Sequence, residues 1–159
     1  TRLAKLDDNQ YDAIVLATSG LQRLGFDERI RYQIPPEVCL PAVGQGALGI
    51  ECRTDDHELV SLLEPLVHRD SSDRVMAERA LNTRLEGGCQ VPIGAYAELD
   101  GDQLHLRGLV ASPDGQSVFQ VNGTAHREDG QTLGRQLAEE LLDKGAGAIL
   151  AEVYGYRPE

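Results

Sequence analysis

The sequence predicts α/β segments in its first part, followed by a small α+β domain with a three-stranded antiparallel sheet and flanking helices. Three observations lead to this prediction. A short apolar run at residues 13–17 precedes a helical pattern, as in a βα unit. Apolar residues alternate from residue 91 to residue 99, and two turn signals with further strand patterns follow. Helical patterns lie on both sides of these strands.

The composition indicates aliphatic cores and a strongly acidic chain. Of 159 residues, 41% are hydrophobic but only 4% are aromatic. The 26 acidic and 15 basic residues give a net charge of −11, which argues against nucleic acid and anionic membranes as partners because phosphate would repel the chain. No apolar run is long enough to span a bilayer, and we expect a cytoplasmic protein. Because Met76 is the only methionine, we expect a longer parent protein.

Cysteine and histidine usage indicates a reducing compartment and no metal site. The three cysteines are odd in number and include no C-x-x-C pair, unlike a disulfide framework. Cys39 and Cys52 have apolar neighbours and are predicted to lie in cores. The four histidines lack the spacing of metal ligands.

In the first part, the patterns predict a helix end at residues 2–6, a strand at 13–17 covered on both faces, and a helix from about residue 18 to 24. Two prolines, Pro35 and Pro36, exclude regular structure there. The pattern then predicts a strand at residues 47–53. A helix follows at residues 57–64, which Pro65 ends.

The glycine-rich stretch from Gly44 to Gly49 formally matches G-x-G-x-x-G. The dinucleotide fingerprint needs a strand before it and a helix after it, whereas a strand-like run follows here, so we reject a nucleotide site. The glycines are instead interpreted as a hinge.

In the second part, Ala77, Leu81 and Leu85 share one face of a helix predicted from Ser72 to Gly87. A meander of three strands follows. The last long helix carries leucines at intervals of four and ends at Gly145. Residues 148–153 fit either a short helix or a strand, and periodicity does not decide between them.

The candidate reactive group is Cys89, which follows Gly87 and Gly88 at the end of the predicted helix. Two glycines free the backbone for left-handed φ, so the thiol is predicted on a turn where other groups can approach it. The alternative is a small apolar residue tucked under that turn. A thiolate forms a stable thioether with an electrophilic carbon and needs no general-base relay.

The stretch from Asn82 to Leu99, with Leu-Glu-Gly-Gly-Cys-Gln-Val-Pro-Ile-Gly at its centre, resembles the cofactor-attachment loop of the porphobilinogen deaminases. Residues 40–53 resemble the interdomain segment of the same family. The resemblance implies that residues 1–40 are the C-terminal part of a second domain, with periplasmic-binding-protein-like α/β segments, and that residues 41–46 are a hinge. It also implies that residues 47–64 return to the first domain, that 65–68 are a linker, and that 69–159 form a third domain carrying the cofactor cysteine.

The resemblance also implies an activity. These enzymes join four porphobilinogen molecules head to tail, with loss of ammonia, into hydroxymethylbilane on a cysteine-linked dipyrromethane primer. Cys89 would hold the dipyrromethane cofactor, and Arg2 and Arg23 match positions that bind pyrrole carboxylates, which Arg pairs bidentately. For an arbitrary arginine, the alternative is a solvated cation. Three further residues are assigned to cofactor binding by the resemblance: Leu16, Ala17 and Gly46.

The resemblance places the family's acid–base aspartate in an N-terminal half that this sequence lacks, so no catalytic residue is assigned in this chain. We expect the chain alone to be inactive and the complete enzyme to be a monomer whose partners are porphobilinogen and the growing pyrrole chain. Two alternatives stay open: a small-molecule module that binds carboxylates reversibly, and a structural fragment without a covalent cofactor.

Overall fold

The computed structural model describes residues 1–88 and 91–155. The chain divides into two compact units, Thr1–Ile34 and Pro35–Glu159. The domain boundaries predicted from the sequence within residues 40–69 stay predictions.

The first unit consists of short helices joined by extended chain. Helix α1 spans Arg2–Asp7, α2 spans Thr18–Arg23, and a single 3₁₀ turn covers Asp27–Arg29. Arg29 ion-pairs with Asp7 and joins the two ends of the unit. The predicted helices are confirmed, but the predicted strand at residues 13–17 is wrong: this segment is extended and no described strand pairs with it. A strand of a parallel sheet exists only through the neighbours that satisfy its backbone groups.

The second unit begins with irregular chain and one short helix. Helix α3 spans His57–Leu63, with the Asp56 carboxylate accepting the Leu59 N–H at 3.2 Å, and a 3₁₀ turn covers Glu64–Leu66. This predicted helix is confirmed, and Asp56 is its N-cap. The strand predicted at residues 47–53 does not form, so the periplasmic-binding-protein-like part of the fold prediction is not confirmed.

The buried positions predicted for two cysteines are also wrong. Both Cys39 and Cys52 are exposed. Leu48 and Ile50, which were expected on a covered strand, are 73% and 61% exposed. Since no strand forms here, the apolar residues of this segment have no sheet face to bury.

The C-terminal region has the predicted α+β architecture. Helix α4 (Arg69–Arg84) precedes three strands, which pair antiparallel in the order β1-β2-β3. The strands are followed by a 3₁₀ turn at Arg127–Asp129 and by α5; Gly145, with φ 106, then separates α5 from α6 as the predicted terminator. Residues 148–153, for which the sequence fitted either a helix or a strand, are helical. The remaining bounds are β1 Ile93–Asp100, β2 Gln103–Ala111, β3 Val118–His126, α5 Gly130–Leu141 and α6 Gly147–Tyr154.

One face of the sheet packs against α4 and α5 to form an aliphatic core. The register of β1 and β2 places Leu99 opposite Leu104 and Ala97 opposite Leu106, so these side chains share a face. Ala77, Leu81 and Leu85 point into the core from α4, as their spacing predicted. The other buried members are Ala95, Val110, Val121, Leu133, Leu137, Ala138, Leu141, Ala146, Ile149 and Leu150.

An ion cluster around Arg127 fixes the start of α4 to the chain that follows β3. The guanidinium donates to Asp73 at 2.7 Å and to Asp70 at 2.6 Å. The hydrogen bond from Arg127 lowers the pKa of Asp70. This cluster holds α4 on the sheet at the end opposite to the thiol loop, which we define as residues 85–91.

Among the residues that the structure describes, no helix has the length and apolar character that a bilayer crossing needs. In the same part of the chain, no group of three or more His, Cys, Asp or Glu side chains is arranged to hold a metal ion.

Candidate functional site

Helix α4 ends earlier than the sequence predicted, and a glutamate adopts the left-handed conformation expected of a glycine. The last helical residue is Arg84, and Glu86 has φ 55. The Gly87 N–H donates to the Asn82 carbonyl at 2.9 Å, and the Glu86 N–H donates to the Thr83 carbonyl at 3.1 Å. These two bonds form a Schellman motif, which satisfies the last carbonyls of the helix and sets the direction of the thiol loop.

The side chain of Asn82 supports this turn from the helix. Its Nδ2 donates to the Gly87 carbonyl at 3.1 Å, while its own main-chain carbonyl accepts the Gly87 N–H. Asn82 therefore forms hydrogen bonds with both the N–H and the carbonyl of Gly87.

Further bonds hold the loop on both sides of the thiol. The Tyr154 hydroxyl, near the end of α6, donates to the Glu86 carbonyl. The Val91 N–H donates to the Gly88 carbonyl at 3.1 Å. Cys89 lies outside the described residues, so the structure gives the path of the chain up to Gly88 and from Val91 onward.

The predicted hinge is attached to the C-terminal region through Glu78. This carboxylate is 6% exposed; it accepts the Gly44 N–H at 2.7 Å and the Ala97 N–H at 2.9 Å. The Pro41 carbonyl accepts the Ala95 N–H at 3.2 Å, so the segment also lies along the outer edge of β1. Gly44 (φ 68) and Gly46 (φ 84) follow, and both have a positive φ, a conformation that favours glycine.

Burial raises the pKa of Glu78, although both N–H groups and the charge of Arg74 act in the opposite direction. The folded chain therefore holds this proton to higher pH than the unfolded chain does. Between about pH 4.5 and the raised pKa, the folded state binds more protons, so the contribution of Glu78 to stability falls as pH rises.

We predict that Glu78→Gln removes this pH dependence. The free energy of unfolding of the native chain minus that of the variant should decrease as pH rises from 4.5 through the raised pKa, and then level off. Urea unfolding at a series of pH values measures this difference. Glu152→Gln, at an exposed position of α6, controls for the loss of one negative charge. A difference that stays constant or grows with pH would contradict the prediction.

Two cavities border the glycine-rich stretch from Gly44 to Gly49, which we call the glycine segment. Gly46 lines the smaller one, of about 130 Å³, together with Arg74 and Glu78. The larger one is an open cleft of about 580 Å³ between the glycine segment and α4, and it extends to Gly87 in the thiol loop. Its size suits a small organic ligand. It is lined by Val43, Gly44, Ala47, Leu48, Gly49, Val75, Arg79, Asn82, Thr83, Glu86 and Gly87.

The other predicted site residues lie in the first unit. Leu16 and Ala17 are half-buried and precede α2 directly, Arg23 is the last residue of α2, and Arg2 begins α1. Both arginines are exposed, and neither forms an ion pair within residues 1–88 and 91–155. Exposed guanidinium groups of this kind fit the carboxylates of the implied dipyrromethane cofactor. The predicted roles of these four residues and of Gly46 stay predictions.

Sequence reasoning missed four residues of the site: Glu78, Arg79, Asn82 and Thr83. Arg79 and Thr83 line the larger cleft, and their spacing of four was a signal that one face of α4 borders the thiol loop. Glu78 gave no comparable signal, because its role depends on the approach of the glycine segment from elsewhere in the chain.

Two family models match the chain. Residues 1–61 match "Porphobilinogen deaminase, dipyromethane cofactor binding domain", and residues 73–143 match "Porphobilinogen deaminase, C-terminal domain". The second match contains α4 from Asp73 onward and the thiol loop, and together the two leave only residues 62–72 and 144–159 uncovered. Since both models describe parts of one enzyme and together span most of the sequence, this chain belongs to the porphobilinogen deaminase family.

Proposed function

We propose that this chain supplies the cofactor-anchoring part of a hydroxymethylbilane synthase, with Cys89 as the anchor. The supporting observation is the position of Cys89: it lies in the loop between α4 and β1, inside the region that matches the family's C-terminal domain. The family is a transferase that uses porphobilinogen and a dipyrromethane cofactor. The family matches do not favour the alternatives of a reversible carboxylate-binding module or a structural fragment.

The chain's own residues have distinct tasks in this proposal. The Cys89 thiolate forms a carbon–sulfur bond with the electrophilic aminomethyl carbon of a porphobilinogen unit, and the amino group leaves as ammonia with the bonding electron pair and a proton. Arg2 and Arg23 pair with acetate and propionate groups. When bound, dipyrromethane supplies a covalent primer for further units. The covalent bond to Cys89 keeps the pyrrole chain on the protein while its free end changes position.

We propose that this chain acts together with an N-terminal half that contains the acid–base aspartate implied by the resemblance. The complete enzyme here means that half and this chain, as one polypeptide or as two. On this proposal the isolated chain does not turn over porphobilinogen, and the complete enzyme is a cytoplasmic monomer. The odd number of cysteines and the exposure of Cys39 and Cys52 support a reducing compartment.

Intact-mass spectrometry with peptide mapping of the complete enzyme tests the anchor. We expect a dipyrromethane adduct on the peptide that carries Cys89. The peptides that carry Cys39 and Cys52 should be unmodified, and because both thiols are exposed they control for non-specific reaction with porphobilinogen. An enzyme that releases bilane without any adduct on the Cys89 peptide would rule out the proposal.

A further inference from the structure

The two glycines before Cys89 have different surroundings. A Cβ atom built on Gly87 would lie 2.0 Å from Asn82 Oδ1, 2.7 Å from Asn82 Cγ and 2.9 Å from Ile93 Cδ1, so Asn82 supplies the two nearest atoms. A Cβ atom built on Gly88 meets no atom of residues 1–88 and 91–155 within 4 Å. Neither glycine has a positive φ; within the described part of the loop, the left-handed residue is Glu86. Gly87 therefore leaves room for Asn82, and the structure gives no such reason for Gly88.

Several hydrogen bonds also hold the described part of the thiol loop. Asn82 bonds to the N–H and to the carbonyl of Gly87, and the Gly88 carbonyl accepts the Val91 N–H. Tyr154 holds the Glu86 carbonyl. Because these bonds hold the described loop residues before any ligand binds, attachment of a ligand orders less of the chain and costs less conformational entropy.

We infer that Asn82 is a positioning residue for the thiol: it fixes the loop that leads into Cys89, and Gly87 is required because only glycine leaves space for it. This inference rests on the proposed function and deepens it. The anchor is then a fixed point on α4. Movement that accommodates the growing pyrrole chain takes place elsewhere, and Gly44, which has positive φ and lines the same cleft as Gly87, offers one position for it.

The first measurement is amide hydrogen exchange of this chain without cofactor. We expect Asn82→Ala to accelerate exchange at Gly87 and Val91 about tenfold, because one hydrogen bond to the loop is lost. Asn82→Asp should have at least the same effect, since it keeps the size of the side chain but places a second acceptor against the Gly87 carbonyl. Unchanged exchange at both amides in Asn82→Ala would overturn the inference.

The second measurement is the rate at which the adduct appears on Cys89 in the complete enzyme. Asn82→Ala and Gly87→Ala should each slow loading about tenfold, while Gly88→Ala loads at the native rate. In the double variant, Asn82→Ala removes the two nearest atoms that the new Cβ at Gly87 would meet, and only Ile93 Cδ1, the end of a flexible side chain, remains at 2.9 Å. The double variant should load at the rate of Asn82→Ala alone. A loading rate reduced by the product of the two single-variant factors would argue against the proposed contact.

A matched core variant separates positioning from general destabilisation. Val121→Ala removes two methyl groups from β3, away from the thiol loop, and lowers the melting temperature without touching Asn82. It should load at the native rate; equal slowing of Val121→Ala and Asn82→Ala would assign Asn82 a structural role only. If the native enzyme has no adduct on Cys89, the proposed function fails, while the exchange result still decides whether Asn82 holds the loop.

Discussion

Replacing Cys89 by alanine in the complete enzyme is expected to abolish both the covalent cofactor and the production of hydroxymethylbilane. The change removes the only sulfur to which the primer is attached in the proposed function, and no other group of the thiol loop is a comparable nucleophile. We expect bilane formation to fall by at least about three orders of magnitude, as is typical when an enzyme loses its covalent nucleophile. Intact mass and the rate of bilane release measure the two effects.

Cys39→Ala and Cys52→Ala are the matched controls. Both thiols are exposed and lie outside the thiol loop, so each variant should retain the adduct and the native rate. The far-ultraviolet circular dichroism of Cys89→Ala should match that of the native enzyme, which excludes misfolding as the cause. A Cys89→Ala enzyme that builds bilane at an appreciable rate would contradict the proposed role of the thiol.

The C-terminal region was predictable because its sequence patterns agree with contacts made close by in the chain. The spacing of Ala77, Leu81 and Leu85 identified the buried face of α4, and alternation identified the strands. Asp100-Gly101 forms the predicted turn, with Gly101 at φ 59. In each case a few neighbouring residues determine the structure.

The strands predicted before residue 69 failed for the opposite reason. An apolar run such as residues 13–17 becomes a strand only when other strands pair with it, and the run itself does not contain that information. Val15 is 79% exposed, and α3 has no buried residue. Hydrophobicity alone therefore predicted burial where the described structure provides no partner.

The candidate site was predictable only in part. The Gly-Gly-Cys stretch identified the thiol loop, but the sequence assigned the turn to the glycines, and the structure assigns the left-handed position to Glu86. A non-glycine residue in this conformation costs about 1–2 kcal/mol, which the bonds of the Schellman motif offset. Glu78 accepts from Gly44, which is distant in the chain, so no local pattern reveals its partner. Asn82 bonds to Gly87 only five residues later, but this contact depends on the turn that Glu86 forms.

The largest expected effect on stability comes from Gly134→Ala. Gly134 lies on α5 where it crosses α4, and a Cβ atom there would lie 2.3 Å from the Ala77 carbonyl oxygen and 3.0 Å from Leu81 N. Both are backbone atoms of a helix, which cannot move aside as a side-chain end can. The helices must separate, and we expect a loss of about 3 kcal/mol in the free energy of unfolding, measured by urea denaturation.

Gly147→Ala in α6 is the control for the chemical change itself. Its Cβ atom would meet only Leu142 Cδ2, at 3.8 Å, which is ordinary contact. Because alanine favours the helix over glycine, this variant should change stability by at most about 1 kcal/mol, in the stabilising direction. Equal effects of the two substitutions would mean that α4 and α5 do not approach as closely as the structure shows. In that case the position of α4, and with it the support of the thiol loop by Asn82, would need revision.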